Sequence, residues 1–342
     1  MKDAVSKARA TLAQSTQPVE QGQLESPSRR QALSAGAAVA AVFSVAWPHA
    51  VNAQAGRNSD VRSATATTRF VEVGGRKLAY RSVGSGKPIV LCNRFRGVLG
   101  LWDPAFIDAL AAQGFQVVTF DYSGLGLSTG ERSYNPAAMV KDAKDLVDAL
   151  GLKDVVIAGW SIGGIVAQIY MAMFGQDVSH VVLLATTPPG KLVKQAEQLF
   201  YDAAAVPGIS LDNFTTIFFE PADEGSRAAS KRSFDRIMAQ KIARSPDVPA
   251  DWAISQIGTT PRNPVFPADE ILNVLRTTKT PILHLGADHD IIFPIENWYA
   301  LNGQLPTLSL ITYPRAGHGP HHQHPESAAA QIAAFIASTR KA

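Results

Sequence analysis

Short apolar runs and amphipathic stretches alternate along most of this chain. RFVEVGG and RKLAYRSVG (69–84) alternate apolar and polar residues and meet at Gly74-Gly75. That pattern predicts a β-hairpin. PIVLC (88–92), FQVVTF (115–120), DVVIAG (154–159) and HVVLLA (180–185) are apolar runs that predict strands covered on both faces. PILHLG (281–286) and LSLITY (308–313) predict the last two strands. Residues 103–113, 136–151, 161–175 and 325–338 carry helical spacing, and the second of these stretches ends on Gly151. Strands alternating with helices predict an α/β fold, a mostly parallel sheet of about eight strands wrapped by helices.

One stretch breaks the rhythm. Residues 187–270 are helical in pattern, hold Pro and Gly breaks, and carry Phe200, Tyr201, Phe214, Phe218, Phe219 and Trp252. They predict a helical cap inserted between two strands, whose aromatics line a pocket and also form the insertion's own core. No internal repeat is evident.

The first 53 residues differ from the rest. They are rich in Ala, Ser and Gln, and within them Arg29-Arg30 precede a weakly apolar run, Ala32 to Trp47. Val51 and Ala53 then occupy the −3 and −1 positions of a signal-peptidase site. This order predicts an export signal over 1–53, and its paired arginines resemble a twin-arginine signal. The alternative, a membrane anchor, needs about 20 apolar residues, and this run is shorter and interrupted. Residues 54–68 read as a linker and 69–342 as the folded domain. The predicted location is periplasmic or secreted, with membrane contact only during export.

Removal of the leader changes the charge. The chain has 32 Lys/Arg and 29 Asp/Glu; the leader holds five and three of them, which leaves 27 against 26. A net charge of +1 without charge blocks gives no sign of a nucleic-acid partner. Cys92 is the single cysteine, so no intrachain disulfide can form, and it reads as a small buried residue.

The sharpest chemical signal is Gly159-Trp160-Ser161-Ile162-Gly163, a G-x-S-x-G motif between a predicted strand and a predicted helix. A strand turning abruptly into a helix holds Ser161 at the apex in a strained conformation. Glycines at 159 and 163 remove side chains that would collide there. The helix N-terminus then faces the serine, and the Ile162 N–H can donate to a developing oxyanion. The plainer alternative is a serine helix cap after a glycine turn. A nucleophilic serine needs a base and an orienting carboxylate. ADHDIIFP and PRAGHG, in the loops after the last two predicted strands, supply both residue types.

In GWSIGG, DYSGLGLS (121–128), GADHDIIFP and AGHG the chain resembles the α/β-hydrolase fold family, over nearly all of residues 70–338. The resemblance implies Ser161 as nucleophile and His318 as general base. The family's acid stands four residues before a proline, which implies Asp290, four before Pro294; Asp288 is the alternative because the loop is one residue longer than usual. Asp121, in the glycine-rich turn, is implied to be structural. His321, His322 and His324 then read as a polar helix start near the pocket mouth, although pairs such as His318 with His322 leave a metal site conceivable.

The chain departs from the family after the third strand, where Asn93-Arg94 replace His-Gly. The backbone N–H of Phe95 can still serve as the second oxyanion donor. Arg94, with Trp160, is a candidate pocket residue that would favour an anionic substrate; the simpler alternative pairs Arg94 and Arg96 with Asp121 or Asp103. The resemblance implies a cofactor-free, metal-free serine hydrolase acting on a small ester-like molecule. The same residues support lactone, amide or C–C bond hydrolysis and perhydrolysis of the haloperoxidase type. A binding protein without catalysis is a further alternative. Oligomeric state leaves no trace in the sequence.

Overall fold

The computed structural model describes residues 62–240 and 244–339. The export signal over 1–53 lies outside the described residues, as does most of the 54–68 linker. Arg69–Val73 (β1) and Arg76–Val83 (β2) form the expected hairpin, with Arg69 opposite Tyr80 and Val73 opposite Arg76. Its two turn residues, Gly74 and Gly75, have φ of +56° and +76°. That left-handed conformation suits glycine and matches the twist of a tight hairpin.

The remaining strands are Lys87–Cys92 (β3), Phe115–Phe120 (β4), Val155–Trp160 (β5), Val178–Leu184 (β6), Ile282–Ala287 (β7) and Leu308–Tyr313 (β8). They form one sheet in the order β1-β2-β4-β3-β5-β6-β7-β8. Pairings of β1 with β2 and β2 with β4 are antiparallel, and all the others are parallel. Every residue of β5, β6 and β7 is buried, which explains their mainly apolar text, interrupted only by Ser179, His180 and His284. The strand order reverses at β3, which lies between β4 and β5. Cys92 at the end of β3 is in register with Gly159 on β5. The loops that follow these two strands therefore leave the sheet side by side, at the switch point where open α/β sheets hold their sites.

Pro104–Ala112 (α1) starts on Asp103, whose carboxylate accepts from the Ala105 N–H at 2.9 Å. Pro136–Ala149 (α2) starts on Asn135 in the same way, and Ile162–Phe174 (α3) follows β5 directly. Between β6 and β7 run Gln198–Ala204 (α4), Leu211–Phe218 (α5), Glu224–Met238 (α6), Ala250–Ile257 (α7) and Asp269–Thr277 (α8). Glu296–Tyr299 (α9), Pro320–Gln323 (α10) and Pro325–Ser338 (α11) complete the described chain. The inserted aromatics pack on one another, Phe214 against Phe218, Phe219 and Phe234. Arg236 on α6 ties the insertion to the core, donating from Nε and Nη2 to the fully buried Asp103 carboxylate at 2.8 and 2.6 Å.

Asp121 proves structural: it accepts from the Leu99 and Leu127 N–H groups and from the Ser245 hydroxyl. The histidine-rich turn corrects an expectation. His321 and His322 do not form a polar helix start but are fully buried. His321 packs against Trp102, Phe106 and Trp160. His322 Nε2 accepts from the Asp103 N–H at 3.3 Å. The cause is nonlocal: α10 packs beneath α6, so the insertion covers these rings.

Burial pushes His322 and His284 (on β7) down to about 4, and pushes His321 well below the ordinary histidine value. Each stays neutral when folded and takes a proton readily when unfolded. Below pH 6.5 the unfolded chain binds more protons, so stability falls as pH falls. Asp121, raised by burial to about 6, opposes this with one group. The buried histidines outweigh this one carboxyl, so the chain loses stability between pH 7 and 5. Chemical denaturation at the two pH values measures it; equal midpoints would contradict the burial of these rings as neutral groups.

Candidate active site

Ser161 sits at the junction of β5 and α3 with φ +60° and ψ −124°, a strained backbone for a residue with a side chain. The turn closes because the neighbouring residues lack side chains. A Cβ on Gly159 would lie 1.9 Å from the Gly163 carbonyl oxygen, and one on Gly163 would lie 2.1 Å from that of Cys92. Gly164 is tight as well, with Thr186 filling the space a Cβ would need. The strained residue is held by its own backbone: its N–H donates to the Leu184 carbonyl at 3.0 Å, and its carbonyl accepts from the Thr186 hydroxyl at 2.6 Å. Trp298 completes the support by donating from Nε1 to the Thr186 carbonyl.

His318 is 1% exposed and lies in the loop after β8. Its Nδ1 stands 2.8 and 3.0 Å from the two carboxylate oxygens of Asp290. Asp290 is itself fixed, because its Oδ1 accepts from the Ile292 and Phe293 N–H groups at 2.8 and 2.9 Å. A carboxylate at Nδ1 favours the tautomer that carries its proton there and leaves Nε2 as the basic nitrogen. Nε2 has no partner among the described residues. It is not hydrogen-bonded to Ser161, but both residues line one cavity. Asp288 does not reach His318. It pairs with the neighbouring His289 at 2.7 Å, so the extra loop residue turns it outward, away from the cavity.

The N–H groups of Phe95 and Ile162 are taken by no acceptor among the described residues. Both residues flank Ser161, one through the β3 loop and one as its chain neighbour. Where the family pattern has histidine, Asn93 bridges two elements, accepting from Trp102 Nε1 at 2.7 Å and donating to the Phe120 carbonyl. That tie holds the Phe95 loop in place.

Two expectations need correction. Trp160 does not line the cavity; it is 1% exposed and its Nε1 donates to the His318 carbonyl at 2.8 Å. It supports the histidine loop from below. Arg94 and Arg96 pair with neither Asp121 nor Asp103, because Arg236 and backbone donors have already taken those carboxylates. Arg96 donates instead to the Ala204 and Val206 carbonyls, and Arg94 to the Phe95 carbonyl. Sequence reasoning also missed Phe218. Its carbonyl accepts from the Gly319 N–H at 2.7 Å, and its ring lies 6.2 Å from that of His318. Only its place among the insertion's aromatics hinted at this. Among the described residues no group of three His, Cys, Asp or Glu side chains is placed to hold a metal ion.

Comparison with known proteins adds a frame. Residues 87–325 match the family model described as alpha/beta hydrolase fold. A Mycobacterium tuberculosis protein described as a candidate non-heme bromoperoxidase, BpoC, is 27% identical over 270 residues, covering 77% of this chain and 98% of that protein. An alpha/beta hydrolase fold protein from Chitinophaga pinensis superposes with a TM-score of 0.68 at 29% identity, over 82% of this chain and all of that one. The esterase RhEst1 from a Rhodococcus species superposes with a TM-score of 0.62 at 22% identity, over 79% of this chain and 98% of that one.

The glycine contacts make a direct prediction. Gly163→Ala drives a methyl into the Cys92 carbonyl and costs about 3 kcal/mol or more. Gly175→Ala has φ −58° and nothing within 4 Å of the new Cβ, so it changes stability by less than about 1 kcal/mol. Denaturation midpoints of the two variants check the contrast.

Proposed function

The chain belongs to the alpha/beta hydrolase fold family and is an enzyme of the hydrolase class; on that premise we propose that it cleaves carboxylic esters through an acyl-Ser161 intermediate. One observation carries the reading: the buried His318, paired with Asp290 behind it, lines the same cavity as the strained Ser161, beside two untaken backbone N–H groups. In this mechanism His318 Nε2 takes the Ser161 proton as Oγ attacks the carbonyl carbon. Asp290 stabilises the resulting imidazolium and keeps its orientation. The Phe95 and Ile162 N–H groups donate to the oxyanion. The tetrahedral intermediate collapses, and the alcohol leaves with the proton from His318. Water then attacks the acyl-serine, gives its proton to His318, and releases the acid and free Ser161.

A second reading uses the same intermediate. Hydrogen peroxide in place of water would release a peracid and free Ser161. The relative described as a candidate bromoperoxidase favours testing it. The helices between β6 and β7 serve, in this proposal, as a cap over the cavity that sets substrate choice, since Phe200, Phe214 and Phe218 line it.

We also propose that residues 1–53 direct export by the twin-arginine route, on the pattern of Arg29-Arg30, the apolar run and Ala53. Replacing both arginines by lysine should leave the precursor in the cytoplasm; normal export of that variant would rule the route out.

For the chemistry, 4-nitrophenyl acetate turnover separates the two acids. Asp290→Asn should lower turnover by about 1,000-fold or more, because the imidazole loses its tautomer and orientation. Asp288→Asn should leave it near wild type. Equal effects of the two would refute the assignment of Asp290.

A further inference from the structure

Arg94 is 8% exposed and has no carboxylate partner among the described residues. Its Nη1 donates to the Phe95 carbonyl at 2.8 Å, and its Nε has no partner. The guanidinium lies 4.4 Å from the Phe218 ring centre and 5.1 Å from that of Trp160. Aromatic faces stabilise a cation, but they do not neutralise it. A buried charge without a counter-ion is costly, and removal of water from it is the larger part of that cost. Burial lowers Arg94 to about 9, so the group is still charged at neutral pH. The Asp247 carboxylate favours the charge from a distance but neither bonds nor pairs with the guanidinium. Arg96 adds a second cation to the cavity wall, and Asp247, the acidic residue lining the cavity, pairs with Arg244 at 3.1 Å. Phe218 and Trp160 touch both Arg94 and His318. The unpaired cation is therefore next to the reacting groups and on the wall of their cavity.

We propose that Arg94 is a specificity-determining residue that selects substrates carrying a second, anionic carboxylate besides the bond to be cleaved. The substrate's carboxylate is the missing counter-ion. It enters the cavity, faces the guanidinium, and places the scissile carbonyl between Ser161 and the Phe95 and Ile162 N–H groups. The cation is fixed in place before binding, so little side-chain freedom is lost when the anion arrives. A neutral ester of the same shape leaves Arg94 uncompensated and binds more weakly. The inference rests on the ester reading for what the carboxylate is attached to, and on Arg94 alone for its recognition.

Two substrate pairs test it, each a carboxylate and its own methyl ester. The first pair is mono-4-nitrophenyl glutarate and methyl 4-nitrophenyl glutarate, with the anion on the acyl side. The second is 4-acetoxybenzoate and methyl 4-acetoxybenzoate, with the anion on the leaving group. Wild-type enzyme should favour the carboxylate member of at least one pair by about tenfold to a hundredfold in kcat/KM, the range of a hydrogen-bonded charged contact. The favoured pair identifies the side. Added salt should erode the preference. Arg94→Met keeps the packing on Phe218 and Trp160 but removes the charge; it should abolish the preference, lowering kcat/KM for the carboxylate members far more than for their methyl esters. Arg94→Lys should retain part of it.

Calorimetric titration of full-length Ser161→Ala with the same compounds reads recognition without turnover. If the wild type hydrolyses none of the four compounds but Ser161→Ala binds the carboxylates in an Arg94-dependent way, the ester reading fails and this inference stands. No preference for the carboxylate in either pair would overturn the inference, whatever the variants do. A preference that survives Arg94→Met, or a variant that slows neutral and anionic esters alike, would also overturn it and leave Arg94 a packing residue.

Discussion

The approach of backbone to backbone at the end of β5 is the constraint on which this site depends. Strand β5 must end between β3 and β6, while helix α3 starts within one residue of it. The chain can do this only where Gly159 and Gly163 have no Cβ, because a methyl at either would lie about 2 Å from a carbonyl oxygen. The same closeness forces Ser161 to φ +60° and lifts its side chain out of the sheet. Strain of this kind is kept only where surrounding bonds overdetermine it. Here Leu184, Thr186 and Trp298 supply them.

A second layer of constraint positions the histidine. Asp290 is anchored by two backbone N–H groups before it meets His318. The His318 carbonyl is held by Trp160, the residue that precedes Ser161 in the chain. The Gly319 N–H is held by Phe218, at the end of α5. His318 is thus tied at once to the Asp290 loop, to the turn at Ser161 and to the helical insertion.

Much of this was legible along the chain. Parallel strands buried on both faces are apolar runs, so the sheet could be read from β3, β5 and β6 directly. Ser161, His318 and Asp290 stand in short local motifs whose glycines and proline serve a local turn, and the structure brings the last two into contact. What the sequence hid depends on residues far apart. Arg94 has Asp103 and Asp121 within a few tens of residues, but Arg236 and the Leu99 and Leu127 N–H groups occupy those carboxylates. His321 and His322 look like surface polar residues until α6 is laid over them. Trp160 reads as a pocket residue because it adjoins Ser161, yet a strand alternates its side chains, and position 160 points away from the cavity into the core.

The central claim is that Ser161 is an activated nucleophile. The most direct measurement is labelling of folded protein by a fluorophosphonate probe, with and without EDTA, followed by peptide mass mapping. The account predicts a single adduct on the Ser161 peptide, formed at the same rate with EDTA present and lost in His318→Ala. No labelling of folded protein, or labelling that EDTA abolishes, would contradict it.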